Sequence, residues 1–170
     1  MGRAALYMLF LFSVAGCGAI PAKNDTPMAA FNRLIVRDVN WKETAVSEIE
    51  GNDMTEYIAS QPGLSKLFRE VFGKYIGEVR YFNQVAYGDA IPDGDTLVLE
   101  PKIYTLKPCG FMPGATYTGL LKTADGRLLA TYVAERRLNQ QRCSNAKDNI
   151  EKLVTELAED AASRLPYARR

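Results

Sequence analysis

The feature that most constrains the fold is the dipeptide Asp125-Gly126, with an alternating apolar run on either side: Ala115 to Thr123 before it and Arg127 to Leu138 after it. A two-residue hairpin turn needs central residues that accept positive φ, and Asp-Gly supplies them, so the spacing predicts a tight antiparallel hairpin. If Ala124 faces Arg127, then Leu121 meets Ala130, Gly119 meets Tyr132 and Tyr117 meets Ala134. All of these fall on one face, and a slip of one residue would divide them between two.

Upstream, Asn32 to Val39 reads as a first strand, built on Leu34-Ile35-Val36. Trp41 stands at its end as a lid on the core, and it is the aromatic residue to consider as a possible partner contact. Lys42 to Gly51 is polar and reads as a loop. Asn52 or Asp53 is expected to cap a helix, and Pro62, with Ser60 as cap, to open a second helical segment. Leu64, Leu67, Phe68, Val71 and Phe72 recur at helical spacing and mark its buried stripe, with Gly73 and Gly77 bracketing the end. Val79 to Tyr87 reads as a second strand. Strand, helix, strand over this length predicts a right-handed crossover between parallel strands. Asp89 to Asp95 reads as a turn, because its carboxylates lack the alternate spacing and late glutamate of a calcium loop. Thr96 to Leu106 is a third strand, in which Pro101 is expected to mark a bulge or an edge.

After the hairpin, Ser144 is positioned to cap a last helix whose apolar stripe runs Ile150, Leu153, Val154, Leu157, Ala158, Ala161 and Leu165. Glu151, Lys152, Glu156, Glu159, Asp160 and Arg164 are assigned to its solvated side, and Pro166 stops it. The expected architecture is α+β: a mixed sheet of about five strands with a parallel βαβ start, a C-terminal β-hairpin, and two main helices on one face.

The first sixteen residues follow a different logic. Arg3 precedes the apolar run Ala4 to Phe12, and the small residues Ala15 and Gly16 stand immediately before Cys17. This is the tripartite pattern of a secretory signal, too short for a permanent span of roughly 20 apolar residues. Val14-Ala15-Gly16-Cys17 resembles the lipobox of bacterial lipoproteins. The resemblance implies that Cys17 is acylated and becomes the new amino terminus, so that the mature chain stays on a membrane. Gly18, in place of the aspartate that retains many such lipoproteins in the inner membrane, implies the outer membrane with the domain facing the periplasm. The chain then divides into a signal peptide (1–16), a tether (17–30), one domain (31–165) and a short tail (166–170).

In an oxidising compartment the cysteines gain meaning. Carried outward, the hairpin register leaves Cys109 within one residue of facing Cys143, so a disulfide between them is expected. Closing a loop of that length contributes about 3 to 4 kcal/mol in the chain-entropy picture.

Composition removes several functions. The chain has 21 basic and 20 acidic residues, and loss of Arg3 with the signal balances them, so neither a nucleic-acid surface nor a polybasic lipid-binding surface is indicated. It has no histidine, which excludes Ser-His-Asp and Cys-His chemistry and argues against a zinc site. No Gly-rich phosphate loop or GxSxG elbow occurs, and no cofactor or metal is implied. Glu100 and Glu135 are the strand carboxylates left for a hydrolase, and Tyr75, Tyr81, Tyr87 and Tyr104 are candidates for lining a ligand cleft.

Taken together, the strand Arg33 to Asp38, the helix Leu64 to Phe72, the strand Thr96 to Glu100, the hairpin Gly119 to Ala130 and the last helix resemble a group of small lipoprotein domains. It comprises the amino-terminal TolB module, the curli-secretion channel lipoprotein, the lipoprotein activators of peptidoglycan synthases and the Pel-type polysaccharide-export lipoprotein. The long linker of the synthase activators and the transmembrane hairpins of the curli channel are missing. The resemblance implies a non-catalytic, membrane-anchored accessory or scaffold component of an envelope assembly or export machine, with an envelope protein partner, association of copies, and no nucleic acid. A small-ligand binder or a carboxylate-based envelope hydrolase is the alternative.

Overall fold

The computed structural model describes residues 30–49, 51–79, 81–139 and 145–165. In order, the elements are β1 (Arg33–Val36), β2 (Ala45–Val46), α1 (Gly51–Val79), β3 (Gln84–Tyr87), β4 (Thr96–Lys107), β5 (Gly114–Thr123), β6 (Leu128–Arg137) and α2 (Ala146–Arg164). They form one mixed sheet in the order β3-β1-β4-β5-β6, with β2 also on β4. β1 is parallel to both β3 and β4, so the strand-helix-strand start is parallel as expected. The sheet has one strand more than anticipated. β2 lies in the polar stretch read as a loop, and its two residues pair with Thr105 and Leu106 of β4. Two residues are too few for a period to show; the ladder partner defines the strand.

β4 runs between the β1/β2 line and β5, which corrects the reading of Pro101 as a bulge or an edge. Pro101 is in regular register with Gly119. Its carbonyl accepts from Asn40 N at 3.0 Å, as Leu99 O accepts from Arg37 N at 2.9 Å, so the odd residues of β4 turn their backbone toward β1. The missing N–H therefore faces the gap between β1 and β2, where no ladder donor is required. The bulge comes later, at Tyr104, between the pairs Ile103–Tyr117 and Thr105–Thr116.

β5 and β6 pair as the sequence reading anticipated, with Leu121 on Ala130, Gly119 on Tyr132 and Tyr117 on Ala134. The turn is different. Gly126 alone takes positive φ, at 86°. Thr123 N donates to Arg127 O and Gly126 N to Thr123 O, and the register shifts between Leu121 and Lys122. The connection is thus a longer turn closed by a glycine bulge. Asp125 stays on the ordinary side of φ because the Thr123 hydroxyl bonds its carboxylate.

α1 is one helix through Pro62, where two segments were expected. The proline withdraws a donor from the carbonyl of Ile58, a residue 57% exposed, so solvent can replace it. The Ser60 hydroxyl caps nothing; it donates to Tyr57 O at 2.8 Å. Gly73 does not end the helix either. A Cβ there would collide with the Tyr87 hydroxyl, so the glycine lets β3's last side chain cross the helix. α2 is capped by Asn145, whose side chain accepts from Lys147 N and Asp148 N. Ser144, Cys143, Cys17, the tether and Pro166 lie outside the described residues.

Both helices cover one sheet face. Leu34, Val36, Leu97, Leu99, Ile103, Leu106, Tyr117 and Leu121 share a core with Leu64, Phe68, Phe72 and Ile76 of α1 and Ile150, Leu153, Leu157 and Ala161 of α2. Phe68 stacks on Phe72 and on Tyr117, with centroids 6.1 and 5.9 Å apart. Burying each such ring contributes about 1.5 to 3 kcal/mol.

Tyr117 leads to a test. Its side chain is fully buried, its hydroxyl has no hydrogen-bond partner, and it rests where a Cβ on Gly119 would be. Gly119→Ala is expected to cost about 1 to 3 kcal/mol through overpacking. Tyr117→Phe is expected to cost little and to restore much of that loss when combined with Gly119→Ala, in urea titrations of the four proteins. A double mutant no more stable than Gly119→Ala alone would show that the hydroxyl is not what the glycine accommodates.

Candidate functional site

Trp41 sits where the chain leaves the β1 line. It is 9% exposed. Its Nε1 donates to Ser65 Oγ on α1 at 2.8 Å, and its ring meets Tyr57 edge-on, 6.2 Å between centroids and 80° between planes. Strand end and helix are therefore pinned by a satisfied indole. Trp41 nevertheless forms the floor of a groove walled by Ile58, Gln61 and Pro62 on one side and by Asp38 and Arg69 on the other. Arg69 is ion-paired to Asp38. The groove joins an exposed aliphatic rim to a charge-paired rim, which suits a protein surface better than a small polar molecule.

The remaining sequence candidates are dispersed. Glu100 bonds Lys122 Nζ at 2.6 Å, and Glu135 bonds Arg137 Nε at 2.7 Å. They pair with Leu120 and Thr116 of β5 from opposite sides, which separates their backbones by roughly 16 Å, from strand spacing and rise. A glycosidase pair needs carboxyls roughly 5 to 9.5 Å apart. The tyrosines stand on different elements. Tyr75 of α1 bonds Glu159 of α2, which raises its phenol. Tyr87 lies against Gly73, and Tyr104 sits 4.4 Å from Lys102 Nζ. Asp93 and Asp95 serve as a clasp at the head of β1. Asp95 accepts from Asn32 N and Nδ2, and Asp93 pairs with Arg33 at 3.3 Å. The Thr96 hydroxyl holds the Asp93 carboxyl below its ordinary value. No His/Cys/Asp/Glu group able to hold a metal occurs among the described residues, and no described helix is long and apolar enough to cross a membrane.

Cys109 follows β4 and is 8% exposed. The neighbouring carbonyl of Pro108 accepts from Asn149 Nδ2 of α2 at 2.8 Å, which ties the connector to the helix.

Sequence reasoning placed Asp160 on the solvated side of α2. It is 8% exposed, paired to Arg136 of β6 and Arg164 of its own helix. Beneath it lie the partnerless hydroxyls of Tyr117 and Tyr132. Burial pushes Tyr117 far up and Tyr132 up to about 12. The signal available in the sequence was position: Asp160 is flanked by Ala158, Ala161 and Ala162, so it belongs to the buried arc by spacing.

Neither a protein-family model nor a curated protein matches the chain. Among solved structures it is similar to protein XCC0632 from Xanthomonas campestris, a DUF330 protein, with TM-score 0.51 and 12% identity over 84% of this chain and 87% of that one. It also aligns with a minor lipoprotein from Acinetobacter baumannii, with TM-score 0.47 and 12% identity over 82% and 95% of the two chains. A PelC dodecamer from Paraburkholderia phytofirmans gives TM-score 0.41 and 12% identity over 79% and 88%. At this identity the likeness to XCC0632 shows a common fold.

Asp160→Ala is expected to lower stability by about 2 to 4 kcal/mol, because it strands two guanidinium groups beside a buried face. Thermal unfolding followed by circular dichroism checks this. A loss below about 0.5 kcal/mol would mean that both arginines simply turn to water.

Proposed function

We propose that this chain is a lipid-anchored accessory lipoprotein of the bacterial envelope, which works through contacts with a protein partner and with its own copies and does not make or break bonds. The observation that carries the reading is Val14-Ala15-Gly16-Cys17 behind a charged start and an apolar run. Its supports are the two-layer α+β domain, the lack of histidine, and the dispersal of Glu100 and Glu135 into separate ion pairs. The A. baumannii and P. phytofirmans structures are described as a lipoprotein and as a dodecamer; the reading here stands on the residues.

In this reading Cys17 is acylated and holds the domain on the outer membrane, facing the periplasm. The tether of about 13 residues reaches roughly 40 Å at full extension. The groove floored by Trp41 is the candidate partner contact, because it sets Ile58, 57% exposed, beside a tryptophan.

The disulfide between Cys109 and Cys143 belongs to the same proposal. Its support is the bond from Leu138 N to Pro113 O at 2.7 Å. That bond continues the hairpin ladder toward both positions.

Mass spectrometry of the protein purified from membranes is expected to find Cys17 acylated at the amino terminus, and Cys17→Ser to release the domain from the membrane. An intact Met1, or a Cys17 without lipid, would overturn the anchored reading. Ile58→Glu is expected to leave the melting temperature within about a degree while abolishing crosslinks to the envelope partner that the unaltered protein forms in mild detergent. Crosslinks that persist would clear the Trp41 groove of that role.

A further inference from the structure

Among the described residues the sheet ends at β6, which pairs with β5 on one side and has no strand on the other. An edge strand presents a row of unpaired N–H and C=O groups, and proteins ordinarily blunt it by shortness, proline, bulges or charge. The two edges here differ. β3 has four residues, whereas β6 has ten and contains no proline. Its register against β5 is regular from Ala130 to Arg137, the irregularity being confined to the turn end.

The ladder fixes which way the free groups point. Leu138 donates its N–H across to Pro113, so the even residues of β6 turn their backbone to β5 and the odd ones turn theirs outward. Thr131, Val133, Glu135 and Arg137 are all exposed. Val133 stands in the middle of that row, apolar, β-branched and 57% exposed. Arg136 Nη1 donates to the carbonyl of Glu135 at 3.3 Å, a long contact that a well-aligned backbone N–H donor would displace.

We propose that this edge takes a second copy of the same chain, the two β6 strands pairing antiparallel about a two-fold axis through Val133. Pairing with matched faces restricts the register. With Val133 opposite its own copy, Thr131 meets Glu135 on the face away from the helices. Ala130 then meets Arg136, and Tyr132 meets Ala134, on the helix side. No like charges oppose each other, and the exposed valine is buried against its twin. The steps on either side set Val133 against Thr131 or Glu135. Moving the axis to Glu135 or Arg137 opposes like charges, and moving it to Thr131 carries the overlap into the bulge and the turn. The interface is isologous, so it closes at two copies.

The symmetry also fits an anchor, a point that rests on the lipid-anchored reading although the pairing itself does not. An antiparallel two-fold stands normal to the sheet. Set along the membrane normal, it sends both tethers into one leaflet.

The test uses the full chain in mild detergent. Light scattering is expected to give twice the chain mass. Val133→Cys is expected to crosslink to itself on mild oxidation; Thr131→Cys should do so only when mixed with Glu135→Cys. Val133→Lys, which puts two cations on the axis, is expected to weaken the dimer by about tenfold or more while leaving the monomer's melting temperature unchanged. A mass of one chain, a dimer that tolerates Val133→Lys, self-crosslinking of Thr131→Cys in preference to Val133→Cys, or occupation of the edge by another protein would each overturn the proposal. Cys17→Ser separates the two readings. A soluble protein that still dimerises keeps the β6 pairing, whatever mass spectrometry finds at Cys17.

Discussion

β4 hydrogen-bonds along both of its edges, and every other part of the fold is placed by reference to it. Its odd residues, Leu99 and Pro101 among them, accept from the β1 line, and β5 takes the other edge over ten register pairs. The bulge at Tyr104 then does something a regular strand cannot. Strict alternation would turn Leu106 out if Ile103 points in, yet both are fully buried in the same core. One extra residue resets the phase, so the far end of β4 still faces the helices. It also brings Leu106 O round to accept from Ser47 N just after β2, at 3.1 Å. The short β2 exists because β4 offers it a ladder at that point, in a stretch with little strand character of its own.

The same dependence explains how much could be read from residues alone. The hairpin register was legible because Tyr117, Gly119, Leu121, Ala130, Tyr132 and Ala134 form a face only when paired in one way. The α2 stripe was legible because its apolar spacing is local. What could not be read was tertiary in origin. Pro62 is a helix-start residue by propensity, but packing on both sides of it carries α1 straight through. Gly73 and Gly119 punctuate nothing; Gly73 makes room for Tyr87 arriving from β3, and Gly119 for Tyr117 two residues back on its own strand. Asp125-Gly126 identified the turn but not its type, since Thr123 recruits the aspartate side chain and leaves only Gly126 in the left-handed region. Of the candidate site, Trp41 as a core lid was legible from its place at a strand end. The groove around it was not, because Ile58, Gln61 and Arg69 come from a helix that had been divided in two.

Electrostatics bears on how the sheet face away from the helices can act. Glu100 with Lys122, Glu43 with Lys102, and Arg33 with Asp93 pair charge across neighbouring elements. Partly solvated pairs of this kind add at most about 1 kcal/mol each. Their larger effect is to commit these carboxylates and cations to one another, whereas catalysis by acid and base needs uncommitted groups with displaced pKa values. The groups shifted most, Tyr117 and Tyr132, lie beneath α2, and Tyr117 is sealed from solvent altogether.

The fold also has geometry to offer. β4 is twelve residues long, about 40 Å from end to end at strand rise. A tether of about 13 residues at Cys17 would have much the same reach. Such an anchor therefore limits the height of the domain above a membrane without choosing which end of the sheet faces it. Orientation has to come from a second contact. Two places are proposed for one, the Trp41 groove at the α1 side and the row from Thr131 to Arg137 on β6. They lie on different parts of the fold, since β4 and β5 stand between the β1 line, which Trp41 follows, and β6. A copy paired on β6 thus leaves the groove free, and a pair of chains would present two such grooves related by the same axis. Two grooves on one rigid pair would bind a partner with two matching sites more tightly than either groove alone, by raising the local concentration for the second contact.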